Sequence, residues 1–289
     1  MTSTSRSPFT IAVALVALVL AGCAAPATAP APVPPAPVPV AAAPGPTVRD
    51  DLQQVFARAG VTGTFVLREP DGALTLVDAA RAAAQTVPSS TFKLPHTVIA
   101  LETGAVTGVD EVLPYGGEDQ PFDAWERDMS LREALPASNI AIYQEVARRI
   151  GTEREREWLA RLGYGNQQVG DVLERFWLDG PLTISPIEQA TWVARLAARE
   201  LPASRASQDA TAELARVEST PAGTLYGKTG WRFDASPGTG WWVGWVERPD
   251  GRISTFALCM DTDDAAEAAK RVPVGRELLA ALNVLPAAA

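Results

Sequence analysis

The stretch Pro88–Gly104, PSSTFKLPHTVIALETG, sets a hydroxyl at Ser90 three residues ahead of an amine at Lys93, at the edge of an apolar helical pattern. Residues i and i+3 of a helix share a face, so the two side chains can meet. Pro95 lacks an N–H and would break a helix interior, which places the helix start near Ser90. A helix N-terminus carries unpaired N–H groups and positive partial charge. It disfavours an ammonium at Lys93 and can steady an oxyanion beside Ser90.

A serine so placed needs a base, and the histidine count narrows the choice. The chain has one histidine, His96, inside the same helix start. A Ser-His-Asp triad would have to use it, and zinc sites built on two or three histidines are impossible, so no metal is expected. His96 itself reads as a partly exposed helix residue. Lys93 is then the only near base for Ser90.

Ser-x-x-Lys alone is weak, but two further elements follow it in order. Ala137-Ser138-Asn139-Ile140, after Pro136, offers a second serine at another helix start. Tyr226-Gly227-Lys228-Thr229-Gly230-Trp231 offers a second lysine in a strand-like run. On an edge strand, Lys-Thr-Gly presents a cation, a hydroxyl and an unhindered backbone, which suits a carboxylate and an amide. Singly, Ser138 is as well explained as a helix cap and Lys228 as an exposed strand lysine. Together with Ser90 and Lys93 they point to serine acyl transfer.

This order of elements resembles the penicillin-recognising serine enzymes, and in detail the class D serine β-lactamases, the oxacillinase family. The resemblance runs through STFKLPHTVIALETG, WERDMSLREALPASNIAIYQEVARRIG (Trp125–Gly151), Tyr164-Gly165-Asn166, FWLDGPLTISPIEQA (Phe176–Ala190), YGKTGW, GWWVGWVE and FALCMD, seven motifs in order across residues 50–285. It implies that Ser90 is acylated by the β-lactam and that Lys93 is carboxylated by CO2, the carbamate acting as general base. No other cofactor is implied. Carboxylation needs an unprotonated amine, which an apolar pocket favours by desolvation. Trp177 would donate a hydrogen bond to the carbamate. Ser138 would relay a proton towards the β-lactam nitrogen, and Lys228, Thr229 and Gly230 would border the substrate groove. The backbone N–H groups of Ser90 and Trp231 would form the oxyanion hole, and Arg271 would bind the substrate carboxylate. Tyr164, Gly165 and Asn166 read as structural. One departure is Ile140, where the family usually carries valine; the extra methylene near the modified lysine implies a modest effect on deacylation.

Strand-like runs lie at Gly63–Arg68 and Leu74–Asp78, joined by Pro70-Asp71-Gly72, and again at Thr224–Thr229, Gly240–Glu247 and Ser254–Met260. A closing helix is expected over Ala265–Leu282. The middle is helical, with capping boxes at Ser130-x-x-Glu133, Thr152-x-x-Glu155 and Ser185-Pro186-Ile187-Glu188, and stop glycines at Gly104, Gly151 and Gly163. Strands at both ends with helices between predict an α+β fold, a mainly antiparallel sheet from both chain ends with an inserted helical region.

The ends of the chain carry other signals. Residues 1–22 read as a lipoprotein signal peptide: Arg6, the apolar run Phe9–Leu20, then Leu20-Ala21-Gly22-Cys23, which resembles a bacterial lipobox. Cys23 would be lipidated, leaving the protein exported and anchored through that lipid on the periplasmic side of a bacterial membrane; as an ordinary secretory signal the segment would leave it free in the periplasm. Ala24–Pro46 is nearly all Ala, Pro and Val and favours polyproline II, a stalk of up to ~70 Å. Residues 47–289 hold all eight tryptophans and form the catalytic domain. Without residues 1–22, which contain only Arg6 among charged residues, the formal charge is 24 − 34 = −10, a poor match to nucleic acid. With Cys23 lipidated, Cys259 has no disulfide partner and reads as a small buried hydrophobe. No oligomeric state is indicated.

Three alternatives stay open at this point. A β-lactam sensor would share the acylation but signal through spanning helices, and no apolar span follows residue 22. A peptidoglycan transpeptidase would suit an anchored stalk, against the FWLDG surroundings of Trp177. A binding lipoprotein on an old enzyme fold would tolerate loss of Ser90, Lys93, Ser138 or Lys228, and none is lost.

Overall fold

The structure is a computed structural model that describes residues 45–286. The apolar run, Cys23 and nearly all of the Ala/Pro-rich segment lie outside the described residues.

The chain opens with β1 (Thr47–Val48), α1 (Gln53–Ala59), β2 (Gly63–Arg68), β3 (Leu74–Val77) and α2 (Ala79–Ala83). The middle holds α3 (Lys93–Glu102), a small ladder of β4 (Val112–Leu113) with β5 (Met129–Ser130), then α4 (Leu131–Ala137), α5 (Ile140–Ile150), α6 (Thr152–Leu162), α7 (Pro186–Ala198) and α8 (Arg205–Ala215). The last part is β6 (Arg216–Thr220), β7 (Gly223–Arg232), β8 (Gly238–Glu247), β9 (Ile253–Thr262), α9 (Ala265–Ala269) and α10 (Arg271–Ala281). Seven strands form one sheet in the order β1-β3-β2-β9-β8-β7-β6. Only β1 and β3 run parallel; β9 returns to pair with β2. The sheet is thus assembled from both chain ends around the helical middle, as the sequence predicts.

The period of two along β8 explains why this strand lies at the centre. Trp241, Val243 and Trp245 point into a core shared with α3, α5 and α7, while Trp242 and Val246 point into a second core under α1 and α10. β9 divides likewise, Ala257 and Cys259 to the first and Phe256, Leu258 and Met260 to the second. A strand covered on both faces needs apolar residues at every position, which GWWVGWVE supplies. Gly244 lets β7 pass, since a Cβ there would stand 2.0 Å from the Tyr226 carbonyl oxygen.

Sequence and structure differ in four places. β1, β6 and the β4–β5 ladder fall outside the expected strands; β1, β4 and β5 are two residues each, and RVEST in β6 is a polar edge. The closing helix breaks at Lys270 into α9 and α10. Capping boxes are present at Ser130 and Ser185, but α6 begins after Gly151 with no side-chain cap. Its expected partner Glu155 is drawn fully inside instead, against His96, and His96 is 0% exposed rather than partly exposed.

Candidate active site

Ser90 stands in a 3-10 turn, Ser89–Phe92, that runs directly into α3. Pro95 falls in the first turn of α3, where its missing N–H costs little. The turn is braced from two sides. Thr91 Oγ1 donates to the Pro88 carbonyl at 2.7 Å and accepts from Gln189 Nε2 of α7 at 2.7 Å. Ser89, at φ 50°, donates its N–H to the Trp177 carbonyl at 2.9 Å, tying the FWLDG loop to the nucleophile.

Lys93 Nζ lies 2.9 Å from Ser90 Oγ, and Lys93 is fully buried. Burial first, and then the nearby Lys228 charge, hold this amine well below its ordinary pKa. The Trp177 indole N–H is also buried and finds no partner among the described residues. A desolvated amine favouring its neutral form, with an orphaned donor in the same aromatic cluster, fits the addition of CO2 to Lys93.

Ser138 does not start a helix, contrary to the sequence reading. It is the left-handed C-cap of α4, φ 57°, and Asn139 caps α5 by accepting from the Ile142 N–H at 3.2 Å. Asn139 also donates to the Trp125 carbonyl at 3.0 Å. With Asn139 doing the capping, the Ser138 hydroxyl is left to accept from Lys228 Nζ across 90 residues of chain. Lys228 also donates to the Thr229 carbonyl at 3.0 Å. Burial, then repulsion from Arg271, lowers the Lys228 pKa to about 7.

Thr229 and Gly230 continue β7 alongside the serine turn. A Cβ at Gly230 would stand 3.0 Å from the Pro88 carbonyl oxygen and 3.1 Å from Thr91 Cγ2, so glycine permits the close approach. Arg271 opens α10 and donates to the Gly230 carbonyl, its pKa lowered to about 10 by burial. It fits only because Gly240 is bare: a Cβ there would lie 3.0 Å from Arg271 Cδ. Trp231 Nε1 donates to Thr262 Oγ1 at 3.2 Å. Tyr164 is fully buried, Gly165 lies half-buried close against the Thr183 carbonyl, and Asn166 staples its loop by accepting from the Thr183 N–H at 3.1 Å.

A cleft of about 150 Å³ brings Ser90, Ser138, Ile140, Thr229, Gly230, Trp231 and Arg271 together. Lys93, Lys228 and Trp177 lie behind this surface. Sequence reasoning placed Trp231 at the cleft but missed the other three side chains of its aromatic banks, Phe122, Trp125 and Phe233. Phe122 and Trp125, ring centroids 4.7 Å apart, form one side, and Trp231 and Phe233, 5.3 Å apart, the other. For Phe122 and Phe233 the available signal was a large aromatic in a loop segment without helical or strand periodicity, and they remain 44% and 45% exposed. Among the described residues no cluster of His, Cys, Asp and Glu could hold a metal ion. Cys259 is buried and free, with its thiol pushed up to about 12 by desolvation.

Residues 63–280 match the family model of the penicillin-binding protein transpeptidase domain. β-Lactamase OXA-5 of Pseudomonas aeruginosa is 35% identical over 234 residues, 80% of this chain and 87% of its own length. The probable β-lactamase YbxI of Bacillus subtilis is 36% identical over 213 residues, 73% of this chain and 78% of its own. Two crystal structures share the fold. The class D β-lactamase YbXI from Nostoc has a TM-score of 0.78 at 35% identity, covering 81% of this chain and 99% of its own. FUS-1 (OXA-85), a class D β-lactamase from Fusobacterium nucleatum subsp. polymorphum, has a TM-score of 0.79 at 34% identity, with 82% and 99% covered.

Proposed function

The chain belongs to the class D β-lactamase family, and from that premise we propose that it hydrolyses the β-lactam ring of antibiotics through an acyl-enzyme on Ser90. The observation that carries this reading is the 2.9 Å approach of a fully buried Lys93 amine to Ser90 Oγ at the floor of the cleft.

Ser90 Oγ gives up its proton to the base on Lys93 beside it and attacks the lactam carbonyl carbon, forming a C–O bond. Backbone N–H groups of Ser90 and Trp231 would receive the developing oxyanion. The ring C–N bond then breaks, and its nitrogen needs a proton. Ser138 Oγ, hydrogen-bonded to Lys228, stands at the cleft to hand one over. Water then cleaves the ester, so that one water is consumed per ring opened and Ser90 is restored. When Lys93 carries CO2 as a carbamate, that group supplies a general base beside Ser90. Trp177 Nε1 is the donor that would hold it. Arg271 and Thr229 offer charge and hydroxyl to the substrate carboxylate, and the aromatic banks suit an apolar acyl side chain.

For location, we keep the reading of a periplasmic lipoprotein anchored at Cys23, supported by Leu20-Ala21-Gly22-Cys23 at the end of an apolar run. Radiolabelled palmitate should enter the wild-type protein and not Cys23→Ser.

Turnover of a chromogenic cephalosporin and a penicillin by the purified protein, with and without bicarbonate, tests the activity. Sustained hydrolysis that rises with bicarbonate supports the reading. A single stoichiometric burst with the drug's mass retained on Ser90 replaces it with a sensor or a transpeptidase-like acceptor.

A further inference from the structure

The single histidine meets the one carboxylate drawn fully into the core beside it. His96 lies one turn beyond Lys93 on α3, and Glu155 comes from the first turn of α6; both are 0% exposed. His96 Nε2 and Glu155 Oε1 stand 2.7 Å apart, without the alignment of a hydrogen bond. His96 Nδ1 and Glu155 Oε2 have no partner among the described residues. A buried pair with unsatisfied atoms is expensive, and apolar side chains of similar size often serve stability as well or better. Stability therefore gives a poor account of why it is there.

Its surroundings give a better one. The imidazole packs on Phe92 at 5.0 Å between centroids, on Trp177 at 5.1 Å and on Tyr143 at 5.7 Å. Lys93 Nζ lies 5.2 Å from the Tyr143 ring centroid. Two of the rings that touch His96 are therefore the ring that faces the lysine and the ring that carries the orphaned indole N–H. An anion formed on Lys93 would be buried and would need donors and positive charge close by. Lys228 stands on the cleft side. On the core side the imidazole packs directly on these rings, and Glu155 approaches it from a separate helix.

We propose that the His96–Glu155 pair is a positioning element for carboxylation of Lys93, holding the Trp177 and Tyr143 rings against the lysine and supplying the positive end of a buried dipole behind them. This inference rests on the carbamate reading of Lys93.

The test is a titration of the full chain with ¹³C-bicarbonate, following the lysine carbamate signal by NMR. Wild type is compared with Glu155→Gln and with the double variant His96→Leu/Glu155→Leu, which leaves no buried charge unpaired and keeps the comparison open if the single variant folds poorly. The bicarbonate concentration for half-carboxylation is expected to rise about tenfold in both variants, the low end of what a neighbouring opposite charge does for a buried anion. Turnover at saturating bicarbonate should stay near wild type. Carbamate forming in both variants at the wild-type bicarbonate concentration overturns the proposal and leaves the pair as a tie between α3 and α6. No carbamate signal in the wild-type protein at any bicarbonate concentration refutes the carbamate reading itself, and this inference with it.

Discussion

Lys228 of β7 donates to the hydroxyl of Ser138 at the α4–α5 turn, joining two segments 90 residues apart at the wall of the cleft. Neither residue could be assigned to the other from spacing. The contact exists because Asn139 takes over the capping of α5 and frees Ser138. It also places a buried amine between two other basic side chains, Lys93 and Arg271.

That position makes Lys228 a source of pH-dependent stability. Its folded pKa, about 7, lies below the ordinary 10.5. Between these values the unfolded chain binds the extra proton, so this group's stabilising contribution is full above pH 10.5 and is lost as pH falls to 7. Lys228→Met removes the dependence. Urea unfolding should show the variant gaining on wild type as pH drops from 10 to 7, by roughly 3–5 kcal/mol at the low end. A pH-independent difference would contradict the assignment.

Lys93→Ala should lower steady-state hydrolysis by about 10²–10⁴, the usual worth of a positioned general base. Mass spectrometry after mixing with a penicillin should find drug retained on Ser90. Free enzyme and rapid turnover in the variant would remove Lys93 from the mechanism.

Trp177→Phe keeps a large ring and deletes only the orphaned N–H. Activity in air-equilibrated buffer is expected to fall, and added bicarbonate to restore much of it. A loss that bicarbonate leaves untouched would assign Trp177 to packing.

Gly230→Ala forces a Cβ to within 3.0 Å of the Pro88 carbonyl oxygen and 3.1 Å of Thr91 Cγ2. The serine turn and β7 must separate by a few tenths of an ångström. We expect kcat/KM to drop by about 10–100-fold with little change in Tm, since small misplacements act on geometry more than on folding. Wild-type kinetics would show that the turn yields freely.

Phe122→Ala removes one of the two rings on one bank of the cleft and leaves Trp125. For penicillins with aryl side chains kcat/KM should fall about 5–30-fold, the worth of ~1–2 kcal/mol of apolar contact. Substrates with small side chains should change less, and an equal loss across all of them would place Phe122 in folding rather than recognition.

What the sequence settled by itself was local and periodic. Ser90 and Lys93 sit three residues apart on one helical face, and Pro95 marks that helix as just beginning. GWWVGWVE reads as a strand, and it is the core of β8. These readings hold because backbone period and hydrogen-bonding capacity are carried by each segment alone. The sheet closing from both chain ends was also legible, from the placement of strand-like runs.

Tertiary structure decided what depends on which segments meet. Glu155, expected at a helix cap, and His96, expected to be partly exposed, are both fully buried and face each other, because α3 and α6 pack with those sides inward. Helical period identifies a face but not the partner that covers it. Phe122 and Phe233 carried no period at all, being loop residues whose direction is set by the walls they border. The Ser138–Lys228 contact likewise depended on a left-handed residue at a helix junction, a backbone choice enforced by the packing of α4 against α5 and invisible in the order of the side chains.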